Sequence, residues 1–149
     1  MKTPQDMTGT LEELTSMYLV EIRRRQPTGP YYLGGWPAGG ICAYKAAQQL
    51  AREGCKAEKL ILIDSFNPIG LENPPQHLTS IFLDQKSDPT IPVVRLLNGR
   101  TDSGGDGWAS LVGRENLQIT VMDKVDHLSM MDKGPHKKQF ASFLQRALA

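Results

Sequence analysis

Apolar residues recur three and four positions apart at Leu11, Leu14, Tyr18 and Ile22, which predicts a helix over Leu11–Arg24 with one buried stripe. Thr10 is placed to cap it, with Glu13 at the reciprocal position of a capping box. Gln26-Pro27-Thr28-Gly29-Pro30 stops the helix and turns the chain. Tyr31-Tyr32-Leu33 then reads as a short strand that runs into the glycine-rich segment Gly34 to Gly40. A second helix starting around Gly40 carries Ile41, Tyr44, Ala47 and Leu50 or Ala51 on one side and ends before Gly54.

Leu60-Ile61-Leu62-Ile63 lacks polar alternation, so it reads as a strand covered on both faces, ending in Asp64-Ser65. The proline-rich stretch Asn67 to Gln76 is predicted as loop, and His77 to Gln85 as one short helix. Pro92 to Asn98 and Leu117 to Met122 give two more strands, with a short helical segment around Ala109 to Val112 between them. Gly134-Pro135 starts a final helix whose inner face is Phe140, Phe143, Leu144 and Leu148. Strands separated by helices imply parallel βα units, hence an α/β fold with a small, mostly parallel sheet of about four strands flanked by helices. So small a parallel sheet leaves an edge uncovered, which leads us to expect a homodimer.

The chain has 149 residues, 40% of them apolar and 22% charged, enough to build one cored domain over 1–149. Its formal net charge of +1 gives no basic excess and argues against a nucleic-acid partner. No apolar run approaches the roughly eighteen residues of a membrane span, and the first residues lack a secretory signal, so no membrane association and a cytoplasmic location are expected. Cys42 and Cys55 could pair, or remain two free thiols.

Candidate chemistry centres on Gly35-Trp36-Pro37-Ala38-Gly39, which has the context of a nucleophile elbow: a tight strand-to-helix turn with small residues where backbones meet. Its central residue is proline. Pro37 has neither a hydroxyl nor an N–H, so a covalent serine-type cycle through this position is excluded. The Ala38 and Gly39 N–H groups at the helix start remain candidates for an oxyanion site.

Several segments in order resemble the thioesterase domains at the ends of fungal non-reducing polyketide synthases. They are Glu21 to Pro27, Tyr32-Leu33-Gly34-Gly35-Trp36, Ala38 to Tyr44 and Leu60 to Ser65, then Gly107-Trp108, His127 with Met130-Met131, and Gly134-Pro135-His136. The resemblance covers roughly Leu11 to Leu148 and implies a truncated α/β-hydrolase fold. It also implies a Ser-Asp-His triad acting on an acyl group carried by a phosphopantetheine arm, with no cofactor and no metal. Matched residue by residue, the nucleophile position falls at Pro37, the acid at Asp64 and the base at His127. Set against the family, the early strands and the loop that completes its oxyanion hole are expected to be missing, and the stretch from Asn67 to Pro92 is shorter than the family's lid insertion.

An Asp64–His127 pair without a nucleophile suits a base that works within the substrate. The leading expectation is release of a linear poly-β-keto acyl thioester as an α-pyrone, His127 taking the proton of an enol oxygen that attacks the acyl carbonyl. A non-catalytic partner-binding subunit and a non-covalent trans-acting thioesterase are the alternatives. The expected partner is the acyl thioester itself or the acyl-carrier domain of a polyketide synthase.

Ser65 and Cys42 are weaker candidate nucleophiles. Asp102 is the rival partner for His127, and Asp102 and Asp106 do not match a calcium-loop spacing. Trp36, Pro37 and Trp108 are candidate pocket walls, with core packing equally open for each tryptophan. His77 has no metal-ligand partners in sequence. His136, Lys137 and Lys138 could meet an acidic carrier, although a solvated helix face is the default.

Overall fold

The computed structural model describes residues 10–65, 92–98, 105–132 and 134–149. Helix α1 spans Leu11–Arg25, followed by β1 Tyr31–Gly35, α2 Gly39–Arg52, β2 Ala57–Ile63 and β3 Val93–Asn98. Then come α3 Gly105–Val112, a 3₁₀ turn at Arg114–Asn116, β4 Leu117–Met122, α4 Ser129–Asp132 and α5 Gly134–Leu148. The four strands form one sheet in the order β1-β2-β3-β4, every neighbouring pair parallel. The loop and helix expected between Asn67 and Gln85 fall outside the described residues, as do His77 and Asp102.

Helices cover both faces of this sheet. On one side Leu60 and Leu62 of β2 pack with Leu33, with Tyr44, Ala47 and Leu50 of α2, and with Trp108, Leu111 and Val112 of α3. On the other side Ile61 and Ile63 pack with Met122, with Met130 of α4, and with Phe143 and Ala147 of α5. The unbroken apolar run in β2 is therefore divided residue by residue between two cores, as a strand buried on both faces requires. Trp108 is fully buried and meets Tyr44 edge to face, with ring centroids 5.5 Å apart. Its role is core packing, and the expectation that it lines a pocket gives way to that burial. Among the described residues no helix is long and apolar enough to cross a membrane.

Helix α1 lies on α2. The predicted capping box forms, with the Glu13 N–H donating to Thr10 Oγ1 at 3.2 Å and the Thr10 N–H donating to Glu13 Oε2 at 2.8 Å. Gln49 Nε2 donates to the Glu12 carbonyl at 3.0 Å, and Lys45 Nζ sits 3.3 Å from Glu12 Oε1. Burial pushes the Lys45 ammonium below its ordinary pKa, and the Glu12 carboxylate opposes that shift. The outward side of α1 leaves Met17 and Val20 exposed.

Close backbone contact sets the geometry of the β1–α2 turn. A Cβ on Gly35 would collide with the backbone carbonyl of Gly39, and one on Gly40 would collide with Ser65 Oγ. At Gly39, by contrast, a Cβ would meet nothing within 4 Å. Gly35→Ala is accordingly expected to cost about 2–3 kcal/mol or more through forced backbone displacement. Gly39→Ala, in a helix with open space, is expected to be neutral or to stabilise by up to about 1 kcal/mol. Urea unfolding of the two variants beside the parent measures the contrast.

Candidate active site

A parallel sheet gathers the carboxyl ends of its strands along one edge, and the loops that leave them converge there. Gly35 at the end of β1 pairs in register with Leu62, Ile63 with Leu96, and Asn98 with Met122. Asp64 is the first residue beyond β2 and His127 lies five residues beyond β4. The topology thus brings residues 63 positions apart in sequence to one place.

Asp64 follows β2 with a left-handed backbone, φ of 44°. Aspartate and asparagine tolerate this region better than other side chains with a Cβ. The neighbouring Ser65 is buried, and its hydroxyl donates to the Gly35 carbonyl at 3.2 Å, fastening the end of β2 to the end of β1. The Asp64 carboxylate is 13% exposed and is hydrogen-bonded through Oδ2 to His127 Nδ1. A carboxylate only accepts, so the proton of a neutral imidazole lies on Nδ1, and the Nε2 lone pair faces away from the carboxylate. The imidazole side chain is 34% exposed.

His127 sits on a turn braced from both ends. Asp126 Oδ1 accepts the Leu128 and Ser129 N–H groups at 3.0 and 2.8 Å, while the Asp126 N–H donates to Ser129 Oγ at 2.9 Å. This reciprocal cap starts α4 immediately beyond the imidazole. His136 of α5 then donates its Nδ1–H to the Ser129 carbonyl at 3.0 Å. His136 therefore has a structural partner, whereas Lys137 and Lys138 are exposed, the solvated face taken as the default for them.

At the elbow, Pro37 precedes Ala38, which has helical angles of φ −66° and ψ −27°. The Gly40 N–H is taken by the Pro37 carbonyl at 3.3 Å and the Ile41 N–H by the Ala38 carbonyl at 3.0 Å. The Ala38 and Gly39 N–H groups have no partner among the described residues, and open space lies over Gly39. Trp36 stacks on the His127 ring, with centroids 4.7 Å apart and planes 19° apart. The structure thus brings Asp64, His127, Trp36 and the elbow together. It puts Ser65 into a structural hydrogen bond, and Asp106 lies within α3. Cys42 and Cys55 are both free thiols, and burial pushes the Cys42 thiol above its ordinary pKa, against a nucleophilic role.

A family model described as "Thioesterase domain" matches residues 1–85 of the chain. The chain belongs to the thioesterase-domain family. It is 35% identical over 220 residues to a conidial yellow pigment biosynthesis polyketide synthase of Emericella nidulans, covering 99% of this chain and 10% of that relative. It is 34% identical over 222 residues to a conidial pigment polyketide synthase of Aspergillus fumigatus, covering 100% of this chain and 10% of that relative. The chain thus spans about a tenth of the length of the curated relatives it matches. Nearly all of its 149 residues enter the 220-position match, so at least 71 positions within that span have no residue of this chain opposite them.

Among solved structures, the fold resembles the NocB thioesterase domain captured with a fluorophosphonate nocardicin G analogue. The TM-score is 0.70 at 24% identity, over 99% of this chain and 78% of that one. It also resembles SrfTE, the thioesterase domain that cyclises the lipopeptide antibiotic surfactin, with a TM-score of 0.65 at 18% identity over 90% of this chain and 74% of that one.

Two site-level outcomes follow. Asp64→Asn keeps a residue suited to φ of 44°, whereas Asp64→Ala is expected to lose about 1 kcal/mol or more from the left-handed backbone alone; thermal unfolding of both variants measures the difference. Alkylation of Cys42 by iodoacetamide is expected to lag a free thiol at neutral pH and to accelerate as pH rises toward its raised pKa, with peptide mass mapping as the readout.

Proposed function

We propose that this domain releases a linear poly-β-keto acyl thioester as an α-pyrone by base-assisted intramolecular lactonisation, without an acyl-enzyme. The observation that carries the reading is the hydrogen-bonded Asp64–His127 pair beside an elbow whose central residue, Pro37, has no nucleophilic atom. The curated relatives are polyketide synthases by name, which supports a polyketide acyl chain as substrate and an acyl-carrier domain as its source.

His127 Nε2 takes the proton of the enol hydroxyl on the δ-carbon. The δ-oxygen attacks the thioester carbonyl, closing a six-membered ring, and negative charge gathers on the former carbonyl oxygen. The Ala38 and Gly39 N–H groups donate to that oxygen. Collapse breaks the C–S bond, and the imidazolium returns its proton to the departing sulfur, so the products are one pyrone and one thiol. Asp64 holds the Nδ1–H tautomer throughout and stabilises the transient positive charge. Holding the two reacting ends together supplies several kcal/mol of the acceleration, which is why an attacking side chain is dispensable for this product.

The test is turnover of a β,δ-diketo acyl thioester of N-acetylcysteamine in ¹⁸O-labelled water. The expected product is unlabelled pyrone formed faster than in buffer, and H127A is expected to remove about a hundredfold or more of that rate. Intact mass should detect no acyl adduct. Labelled free acid with no acyl adduct would instead establish non-covalent hydrolysis. Pyrone formation at an equal rate in the parent, H127A and buffer would leave a non-catalytic binding role.

A further inference from the structure

We infer that Trp36 is a positioning residue that sets the plane of the His127 imidazole and so aims Nε2 at the elbow; this rests on the reading of His127 as the base. A single hydrogen bond from Nδ1 to Asp64 fixes one direction of the ring and leaves it free to swing about that axis. A face-to-face neighbour removes that freedom. The indole supplies one, near-parallel at 19° with centroids 4.7 Å apart, the offset-stacked arrangement that aromatic pairs favour.

The indole also refers the ring to the elbow. Trp36 is two residues before Ala38 and three before Gly39, the residues whose N–H groups have no partner among the described residues. The base and the oxyanion donors are therefore held to each other through one short stretch of backbone. Pro37 strengthens this link. Its ring fixes its own φ near −65° and disfavours helical angles for the residue before it, which narrows the backbone choices of Trp36. The residue that removes the attacking hydroxyl thus stiffens the platform under the base.

A second observation separates the ring face from the rest of the indole. Trp36 Nε1 is buried with no hydrogen-bond partner among the described residues, so the N–H contributes nothing to the bonding described there. Phenylalanine at this position keeps an aromatic face and loses no internal hydrogen bond; leucine keeps apolar volume and loses the face.

The experiment compares W36F and W36L with the parent, using ¹³C/¹⁵N-histidine NMR together with kcat and KM on the N-acetylcysteamine thioester. The His127 ring protons of the parent are expected upfield of free imidazole, shifted by the indole ring current. W36L is expected to abolish that shift and to lower kcat by roughly ten- to a hundredfold while KM moves little, the signature of a misaimed base. W36F is expected to restore an upfield shift and most of the lost kcat. Retention of shift and kcat in W36L overturns the proposal. So does a W36F as impaired as W36L, which would move the function to the indole N–H. Full activity in H127A alongside a Trp36-dependent ring-current shift would confirm the stack and overturn the catalytic reading it rests on, so the two failures are told apart.

Discussion

The hydrogen bond between the Asp64 carboxylate and the His127 imidazole joins the end of β2 to the segment after β4. It exists because parallel strands deliver their carboxyl ends to the same edge of the sheet. The sheet in turn stays buried because β2 distributes alternate side chains to two separate cores. Both layers of helices thus contribute to the placement of the pair, α2 through the elbow beneath it and α4 and α5 through the turn that carries His127. A left-handed aspartate and a capped turn then supply the last few ångströms of aim.

The contacts that shape the β1–α2 turn can be separated from the identity of its central residue. Gly35 and Gly40 are required by backbone and Ser65 contacts that remain whatever the central residue is. The Ala38 and Gly39 N–H groups, without partners among the described residues, likewise belong to the helix start, not to residue 37. Proline at the centre supplies no attacking atom, while the close backbone contacts at Gly35 and Gly40 and the helix start at Ala38 are present around it. That separation makes a substrate-internal nucleophile a coherent use of the site.

The strands and the two long helices after the first turn were legible because their signals are local. The β2 run, the capping box at Thr10 and the Gly134-Pro135 helix start each occupy a few consecutive residues. Boundaries were less legible. Glu58 and Lys59 concealed the first half of β2, and Gly105 and Gly107 concealed the start of α3, where tertiary packing overrides local breakers. Helix α4 has four residues, too few to show periodicity, although Asp126 followed by Ser129 is a cap signal that could have announced it. Asp64 and His127 could be named from family resemblance together with strand ends. The stack of Trp36 on His127 could not, because it joins positions 91 residues apart and depends on rotamers that no spacing encodes. Trp108 could be read as wall or core from its sequence context, and only its burial against Tyr44 decides between them.

The brace from His136 to the Ser129 carbonyl ties the last helix to the turn that carries His127. Core residues of that helix, Phe143 and Ala147, anchor it on the face of the sheet opposite α2. The domain is therefore held like a vice with one fixed and one adjustable jaw. Substitutions along the outer layer can change how firmly the turn carrying His127 is held without altering the Asp64–His127 contact itself.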